Sequence, residues 1–128
     1  SLMWQINKLP EFKRSYIRAR EWISTSNEIS FGGFNDWRIP TLKEAQSLII
    51  EKKVTSRENK SLDKPGRRGA PLYLESTFPH IDDMWTNEKT KRDGSELIFL
   101  VDFREGIPRA VPGGNSSFIV GVRTIIKP

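Results

Sequence analysis

The stretch that decides the fold runs from residue 32 to residue 45 and reads Gly-Gly-Phe-Asn-Asp-Trp-Arg-Ile-Pro-Thr-Leu-Lys-Glu-Ala. Thr41 and Glu44 stand in the relation of a capping box, in which each side chain accepts a hydrogen bond from the other residue's backbone N–H. Pro40 disfavours helical backbone at the residue before it and so sharpens the boundary. The stretch therefore predicts a glycine turn followed by a helix that begins at Leu42.

The middle of this stretch, Asp36-Trp37-Arg38, is interpreted as structural. We expect Asp36 to fix the turn and Arg38 to donate to buried backbone carbonyl groups. Calcium-dependent lectins carry Trp-Asn-Asp together with Glu-Pro-Asn or Gln-Pro-Asp, and none of these signatures occurs in the sequence. The search for function therefore moves to other segments.

The composition is that of one domain with a core of its own. At 128 residues the chain is long enough to bury a core without disulfides or structural metals. We predict a single domain over residues 1–128, excised from a longer chain. Cysteine is absent, which excludes disulfides, zinc–thiolate sites and thiol nucleophiles. The sequence has no apolar run of 18 residues, so we expect no membrane insertion.

The charge balance favours an anionic partner. Lys and Arg number 21 against 16 Asp and Glu, a net charge of +5. Such an excess attracts polyanions without identifying one. A well-solvated surface is the alternative, because 29% charged residues is ordinary for a globular domain.

Apolar periodicity predicts helices in the first half of the chain. Buried positions at i, i+4, i+7 and i+11 fall on Phe12, Tyr16, Ala19 and Ile23. We predict a strand over Leu2–Ile6, a helix from about Pro10 that ends at Ser24–Asn27, and a second helix over Leu42–Lys52.

The second half changes to the period of strands. Leu97, Phe99, Val101 and Phe103 alternate, with apolar residues also on the opposite face, as in a central strand. We predict a tight turn over Arg104–Gly106, an edge or irregular strand over Ile107–Pro112, and a last strand over Phe118–Ile126. Two helices followed by antiparallel strands predict an α+β domain.

Short motifs along nearly the whole chain occur in the order of a bacterial family. They are Leu2-Met3-Trp4-Gln5, a helix with Trp and Ala, the Gly32–Thr41 stretch with Glu44, Phe78-Pro79, Met84-Trp85-Thr86-Asn87, Val101-Asp102-Phe103 with Gly106, and Val122-Arg123. In this ordered combination the chain resembles the Lcl C-terminal domain family.

The resemblance implies a C-type-lectin-like fold, similar also to that of formylglycine-generating enzymes. We expect two helices to flank a small antiparallel sheet, the terminal strands to pair, and long loops to form the binding face. Family members are commonly terminal domains of secreted or cell-surface bacterial proteins. The collagen-like adhesin that names the family is associated with binding of sulfated glycosaminoglycans and with trimerisation. The resemblance thus implies adhesion, a secreted or surface location, and a homotrimer.

Catalysis is not expected. Formylglycine-generating enzymes rely on cysteines that this chain lacks. Serines are plentiful, but no strand–turn nucleophile motif accompanies them. The glycine pairs at 32–33 and 113–114 lack the spacing of phosphate-binding loops. We predict a non-enzymatic domain without a cofactor.

The single histidine, His80, raises the question of a metal site. Together with Asp82 and Asp83 it offers imidazole and carboxylate, which are competent metal ligands. The alternative is a polar loop before the strand that contains Trp85. We favour the polar loop and predict no metal.

Two segments concentrate the cations that would bind a ligand. We predict a long surface loop between Val54 and Ala70 that carries Lys60, Lys64, Arg67 and Arg68, and a turn after Trp85 that carries Lys89, Lys91 and Arg92. Guanidinium groups match sulfate oxygens in a bidentate manner, and lysines add point charge. If both segments approach one face, they would hold a sulfated or other anionic polysaccharide, or another host surface ligand, without a deep pocket. Two solvated loops remain the alternative.

Two other kinds of function compete with glycan binding. A protein-interaction, ligand-display or oligomerisation module would use exposed apolar residues of Ile107–Val111. A trimer would also multiply weak glycan contacts through avidity. Nucleic-acid binding is disfavoured, because the sequence contains no recognisable nucleic-acid module and its aromatic residues occupy core-like positions.

Overall fold

The computed structural model describes residues 1–6, 12–54 and 71–125. This part of the chain forms three antiparallel sheets, with strand orders β1–β7, β2–β3 and β4–β5–β6. The strands are β1 Leu2–Trp4, β2 Ile49–Val54, β3 Leu72–Leu74, β4 Asp83–Arg92, β5 Ser95–Asp102, β6 Ile107–Val111 and β7 Val122–Thr124. The helices are α1 Tyr16–Glu28 and α2 Leu42–Gln46, with a short 3-10 turn over Phe31–Gly33.

The predicted α+β, C-type-lectin-like architecture is wrong. Across the described residues, strands outweigh the two short helices, and the strands divide among three small sheets. The sheet of β2 and β3 joins segments that are distant in sequence, and local periodicity does not identify such a partner. The pairing of β1 with β7, in contrast, agrees with the expected contact between the terminal strands.

The boundaries of α1 differ from the prediction at both ends. Helix α1 begins at Tyr16, where the Ser15 side chain caps the backbone N–H of Arg18. Phe12 precedes the helix and is 71% exposed, so it does not join the buried face. At the other end the helix continues to Glu28, one residue beyond the predicted end at Ser24–Asn27, and the Ser26 hydroxyl donates to the carbonyl oxygen of Trp22, 2.9 Å away within the helix. A serine that bonds back in this way is compatible with continued helix.

Helix α2 has the predicted start and a different end. The capping box is confirmed: Thr41 Oγ1 accepts from the Glu44 N–H at 3.1 Å, and Glu44 Oε1 accepts from the Thr41 N–H at 2.8 Å. The helix stops after Gln46, and β2 follows within three residues. Ile49 pairs with Leu74, so a partner from much later in the chain overrides the helical pattern.

The hairpins of the three-stranded sheet follow from their turn residues. Gly106 adopts φ 71° in the turn between β5 and β6, as predicted for a left-handed position. Between β4 and β5 the two central residues, Asp93 and Gly94, adopt φ 51° and 80°, as a two-residue type I′ turn requires. Strand β5 is central and β6 lies at the edge, as predicted, but β7 is shorter than expected.

Apolar side chains cover both faces of the three-stranded sheet. Leu100 lies in a cluster with Tyr16 and other residues of α1. Its neighbour Val101 lies in a second cluster with Ala45 of α2 and Leu72 of β3. Because successive side chains of a strand point to opposite faces, β5 separates these two halves of the core. This arrangement leaves the distal half of the β4–β5 hairpin beyond the core, exposed to solvent.

Candidate functional site

The three described cations of the predicted binding set lie on one strand. Lys89, Lys91 and Arg92 are exposed and occupy the distal half of β4, next to its turn. We call these three residues the basic hairpin. Side chains alternate along a strand, so Lys89 and Lys91 share one face and Arg92 lies on the other. The predicted turn after Trp85 is thus a strand whose turn comes later, at Asp93–Gly94.

The charge of the basic hairpin is only partly compensated. Lys89 Nζ lies 3.6 Å from Glu96 Oε1 and 5.7 Å from the centre of the Tyr16 ring. Exposed ion pairs of this kind contribute little to stability. Lys91 and Arg92 form no ion pair with any residue in the described ranges. Two cations at the tip therefore remain available to an external anion.

The other four predicted binding residues, Lys60, Lys64, Arg67 and Arg68, lie outside the described residues. The segment that carries them follows Val54, which pairs with Leu72. Next to that pair, the Tyr73 N–H donates to the carbonyl oxygen of Phe103. Phe103 directly follows the last residue of β5, whereas Ser95, at the tip of the basic hairpin, is its first residue. Eight residues of extended strand separate Ser95 from Phe103, about 26 Å at 3.3 Å per residue. A shared binding face for both basic segments stays a prediction.

An open groove of about 420 Å³ with mixed polar and apolar walls lies beside the first part of β4. Its polar lining comes from three segments of the chain: Arg20, Ser24 and Asn27 of α1, Arg38 of the turn over residues 32–41, which we call the signature turn, and Asn87 of β4. Its apolar lining is Ile23, Trp37 and Ile39. We call this feature the α1–β4 groove. No local sequence pattern predicts this groove.

The signature turn forms one wall of the groove through a clamp on Trp37. The Asn27 side chain accepts from the Trp37 backbone N–H at 2.7 Å and donates to its carbonyl oxygen at 2.9 Å. The Trp37 indole N–H donates to the Phe31 carbonyl oxygen at 2.8 Å. These bonds fix the ring at the base of the groove, in agreement with the structural role predicted for Trp37.

Arg38 has a structural partner that differs from the one predicted. Instead of backbone carbonyl groups, its guanidinium donates to both carboxylate oxygens of Glu44, at 2.6 and 2.8 Å, and to Thr124 Oγ1 at 3.0 Å. The hydrogen bonds from Arg38 lower the pKa of Glu44 to about 2. The charge of Arg38 is thereby neutralised within the protein, and it is not free for a ligand.

Asp36 holds the last strand to the signature turn. Its carboxylate accepts from Arg123 Nε at 2.6 Å and from Arg123 Nη2 at 3.2 Å, which lowers the pKa of Asp36. The same guanidinium stacks 3.7 Å from the centre of the Phe34 ring. Asp36 therefore fixes the turn by a contact with β7.

Arg20 is the one side chain of the groove lining whose charge is uncompensated. It is exposed and has no ion pair or hydrogen bond with the described part of the chain. Asn87 is exposed as well, and its backbone N–H donates to the Pro40 carbonyl oxygen at 2.9 Å. Asn87 lies within the part of β4, between Trp85 and Lys89, where the pairing register with β5 shifts. Such an irregularity changes the direction of side chains at a sheet edge.

The carboxylates near His80 are engaged with cations of the chain. Lys13 Nζ lies 2.9 Å from Asp82 Oδ1 and 3.0 Å from Asp83 Oδ2. Burial by itself lowers the pKa of Lys13, but the hydrogen bonds to the two aspartates raise it above its usual value. Burial lowers the pKa of His80. Among the described residues, no group of three or more acidic or histidine side chains is arranged to hold a metal ion.

Asp102 is the most buried member of this charged cluster, at 2% exposure. It accepts from Arg109 Nε at 2.7 Å and from the Arg104 backbone N–H at 2.8 Å. Burial alone would raise its pKa, but these hydrogen bonds lower it below the usual value. The contacts of this charged cluster connect the turn between β5 and β6 with the start of β4. Their role is therefore structural.

None of the helices in the described ranges combines the length and the apolar character needed to cross a bilayer.

Comparison with known proteins places the chain in a family. No curated protein and no solved structure matches it. The sequence model of the Lcl C-terminal domain matches residues 1–123, nearly the whole chain. The chain therefore belongs to the Lcl C-terminal domain family, which indicates an adhesion-type domain of the surface class.

Proposed function

We propose that this domain binds sulfated or otherwise anionic polysaccharides and thereby attaches a bacterial surface or secreted protein to its target. The observation that carries the proposal is the basic hairpin, in which Lys89, Lys91 and Arg92 are exposed within four consecutive positions of β4. A linear polyanion laid along one face of this strand would meet Lys89 and Lys91, and Arg92 adds positive charge on the opposite face at the hairpin tip. The net charge of +5 adds long-range attraction.

The geometry suits an extended ligand better than a compact one. A sulfated polysaccharide presents anionic groups at intervals along a flexible chain, and exposed cations on a strand match it without a cavity. The two-residue turn after Arg92 holds the end of the strand in place, so little conformational entropy is lost when the ligand binds. Lysines on an edge strand also prevent unwanted strand pairing, a role compatible with ligand binding.

The proposal is of a binding domain without catalytic activity. The two conspicuous acidic clusters of the described chain are engaged internally: Asp82 and Asp83 with Lys13, and Asp102 with Arg109. These contacts give each carboxylate a structural role. Secretion or display at the cell surface is part of the same proposal, because adhesion requires access to an external ligand.

The test is retention on immobilised heparin in a salt gradient. We compare the wild type with a variant in which Lys89, Lys91 and Arg92 are replaced by alanine. The matched control replaces Lys43, Lys52 and Lys53, which are exposed on α2 and β2, so that both variants have the same net charge.

The hairpin variant should elute at lower salt than the control. For a linear polyanion, the loss of the two contacts on one face should lower the slope of log affinity against log salt by about 2. Equal elution of the two variants would mean that binding follows net charge alone, and would contradict the proposal.

An interaction or oligomerisation module is the second candidate, and one observation favours it. Ile107 is 42% exposed on the edge strand β6, and Ile17 is 67% exposed on α1. Strand β6 lies at the edge of its sheet, where unpaired backbone groups can pair with another protein chain and Ile107 can pack against it. Sedimentation equilibrium of the wild type and of Ile107→Lys tests this: a trimer that dissociates in the variant supports it, and a monomeric wild type refutes self-association.

A further inference from the structure

We propose that the α1–β4 groove binds a single acidic sugar unit, with Arg20 contacting its anionic group. This inference rests on the proposed function, since it identifies the end of the site in which one unit of an anionic glycan would be held. The groove and the basic hairpin differ in kind: the groove is open to solvent and has mixed polar and apolar walls, and the hairpin is a row of exposed cations.

The size and charge of the groove limit the ligand. A volume of about 420 Å³ falls toward the lower end of the range for small-molecule sites, about 300–1,000 Å³. Arg38 is neutralised by Glu44, so the lining carries one uncompensated positive charge, that of Arg20. A ligand with one anionic group matches this balance. The planar guanidinium can donate two parallel hydrogen bonds to a carboxylate or a sulfate.

The remaining polar groups suit hydroxyls. The side chains of Ser24 and Asn87 are exposed at the groove and form no hydrogen bond within the described residues. A hydroxyl and an amide each donate and accept, as sugar hydroxyl groups do. Ile23 and Ile39 are almost fully buried and form the apolar floor of the groove. The lining therefore combines one anion contact with several neutral hydrogen-bonding groups.

The groove continues into the basic hairpin. Asn87 is two positions before Lys89, and Lys89 lies over the ring of Tyr16. Arg20 follows Tyr16 by one turn of α1, a rise of about 6 Å. The Tyr16 ring, over which Lys89 lies, thus connects the basic hairpin to the helix that carries Arg20. An anionic chain with one unit in the groove can extend across Lys89 toward the hairpin tip.

The test is titration of the ¹⁵N-labelled domain with sodium glucuronate, with glucose 6-sulfate and glucose as parallel ligands, monitored by NMR. We expect chemical-shift changes at the Trp37 indole N–H and the Asn87 amide, with at least a tenfold weaker response to glucose. Arg20→Ala should reduce the affinity for the acidic sugars at least tenfold, and Asn87→Ala should reduce it severalfold. Arg18→Ala is the matched control, because Arg18 is exposed on the same helix and pairs with Glu21 outside the groove.

Comparison of the two acidic sugars identifies the anionic group, and a response to either supports the inference. Absence of shifts with both, or shifts unchanged in Arg20→Ala, overturns it. Heparin retention separates this result from the broader proposal. If heparin binds through the hairpin while the acidic sugars give no groove shifts, the groove inference alone fails. If the acidic sugars bind in the groove and heparin retention is insensitive to the hairpin variant, the assignment of polysaccharide binding to the basic hairpin fails.

Discussion

Replacement of Glu44 by glutamine should destabilise the domain by about 2 kcal/mol at neutral pH. The amide keeps an oxygen that can accept from the Thr41 N–H, so the capping box survives while the ion pair with Arg38 is lost. The pKa of Glu44 falls from 4.5 to about 2, which corresponds to about 3 kcal/mol in favour of the ionised form. Because the side chains of Glu44 and Arg38 are 18% and 37% exposed, solvent screening reduces this to about 2 kcal/mol.

The effect should depend on pH in a defined direction. The folded state lowers the pKa of Glu44, so its contribution is present above pH 4.5 and is lost as pH falls toward 2. Thermal unfolding followed by circular dichroism at several pH values measures this. At pH 7 the variant should unfold about 6–8 °C below the wild type, and the gap should close toward pH 2. Glu44→Ala should lose about 1 kcal/mol more, because the cap is also removed. A gap below about 2 °C at pH 7, or one that does not change with pH, would refute this reasoning.

Two further substitutions test the interior. Asp102→Asn should destabilise the domain by about 1–3 kcal/mol, because the buried side chain loses its charge-assisted hydrogen bond from Arg109. Urea unfolding above pH 5 measures this loss. A variant as stable as the wild type in the same assay would contradict a role for this bond. Gly121→Ala should cost about 1–3 kcal/mol, because the added methyl carbon would lie 2.5 Å from Cδ of Gln5, a side chain that is 1% exposed and has no room to move. An unchanged urea midpoint for Gly121→Ala would show that the backbone accommodates the methyl group.

Local sequence rules identified the features that depend on neighbouring residues. The Thr41–Glu44 capping box, the left-handed Gly106 and the central position of β5 each follow from residues within one short segment. Within such a segment each backbone group has few possible hydrogen-bond partners, so the residue pattern predicts the hydrogen bonds well. The Asp93–Gly94 dipeptide is a comparable signal for the β4–β5 turn, and attention to it would have placed the basic hairpin on a strand.

Distant contacts explain what the sequence did not reveal. Helix α2 ends early because Ile49 pairs with Leu74, a partner that periodicity cannot identify. The salt bridge from Asp36 to Arg123 joins residues 87 positions apart. Local patterns describe a single segment, and the division of strands into three sheets depends on which segments meet. This is why the expected C-type-lectin-like arrangement is wrong although the family resemblance is confirmed.

The candidate site also has one part that the sequence predicts and one part that only the folded chain reveals. The cationic composition of β4 was visible in the sequence, because Lys89, Lys91 and Arg92 are close together along the chain. The α1–β4 groove was not, because Arg20 and Asn87 come from segments 67 positions apart and meet only in the folded chain. A mixed groove of arginine, amide and hydroxyl groups has no linear motif, and only the arrangement of α1 beside β4 reveals it.

The most direct test of the proposed function is a titration of the ¹⁵N-labelled wild-type domain with a size-defined heparin octasaccharide at increasing salt. We predict saturable shifts at the backbone amides of Lys89–Arg92 and of the facing Ser95–Leu97, with an affinity that falls steeply as salt rises. The same titration of the alanine variant of Lys89, Lys91 and Arg92 should show these shifts weakened or absent. Shifts of equal size in the variant, or no shifts in the wild type at low salt, would contradict binding of anionic polysaccharides through the basic hairpin.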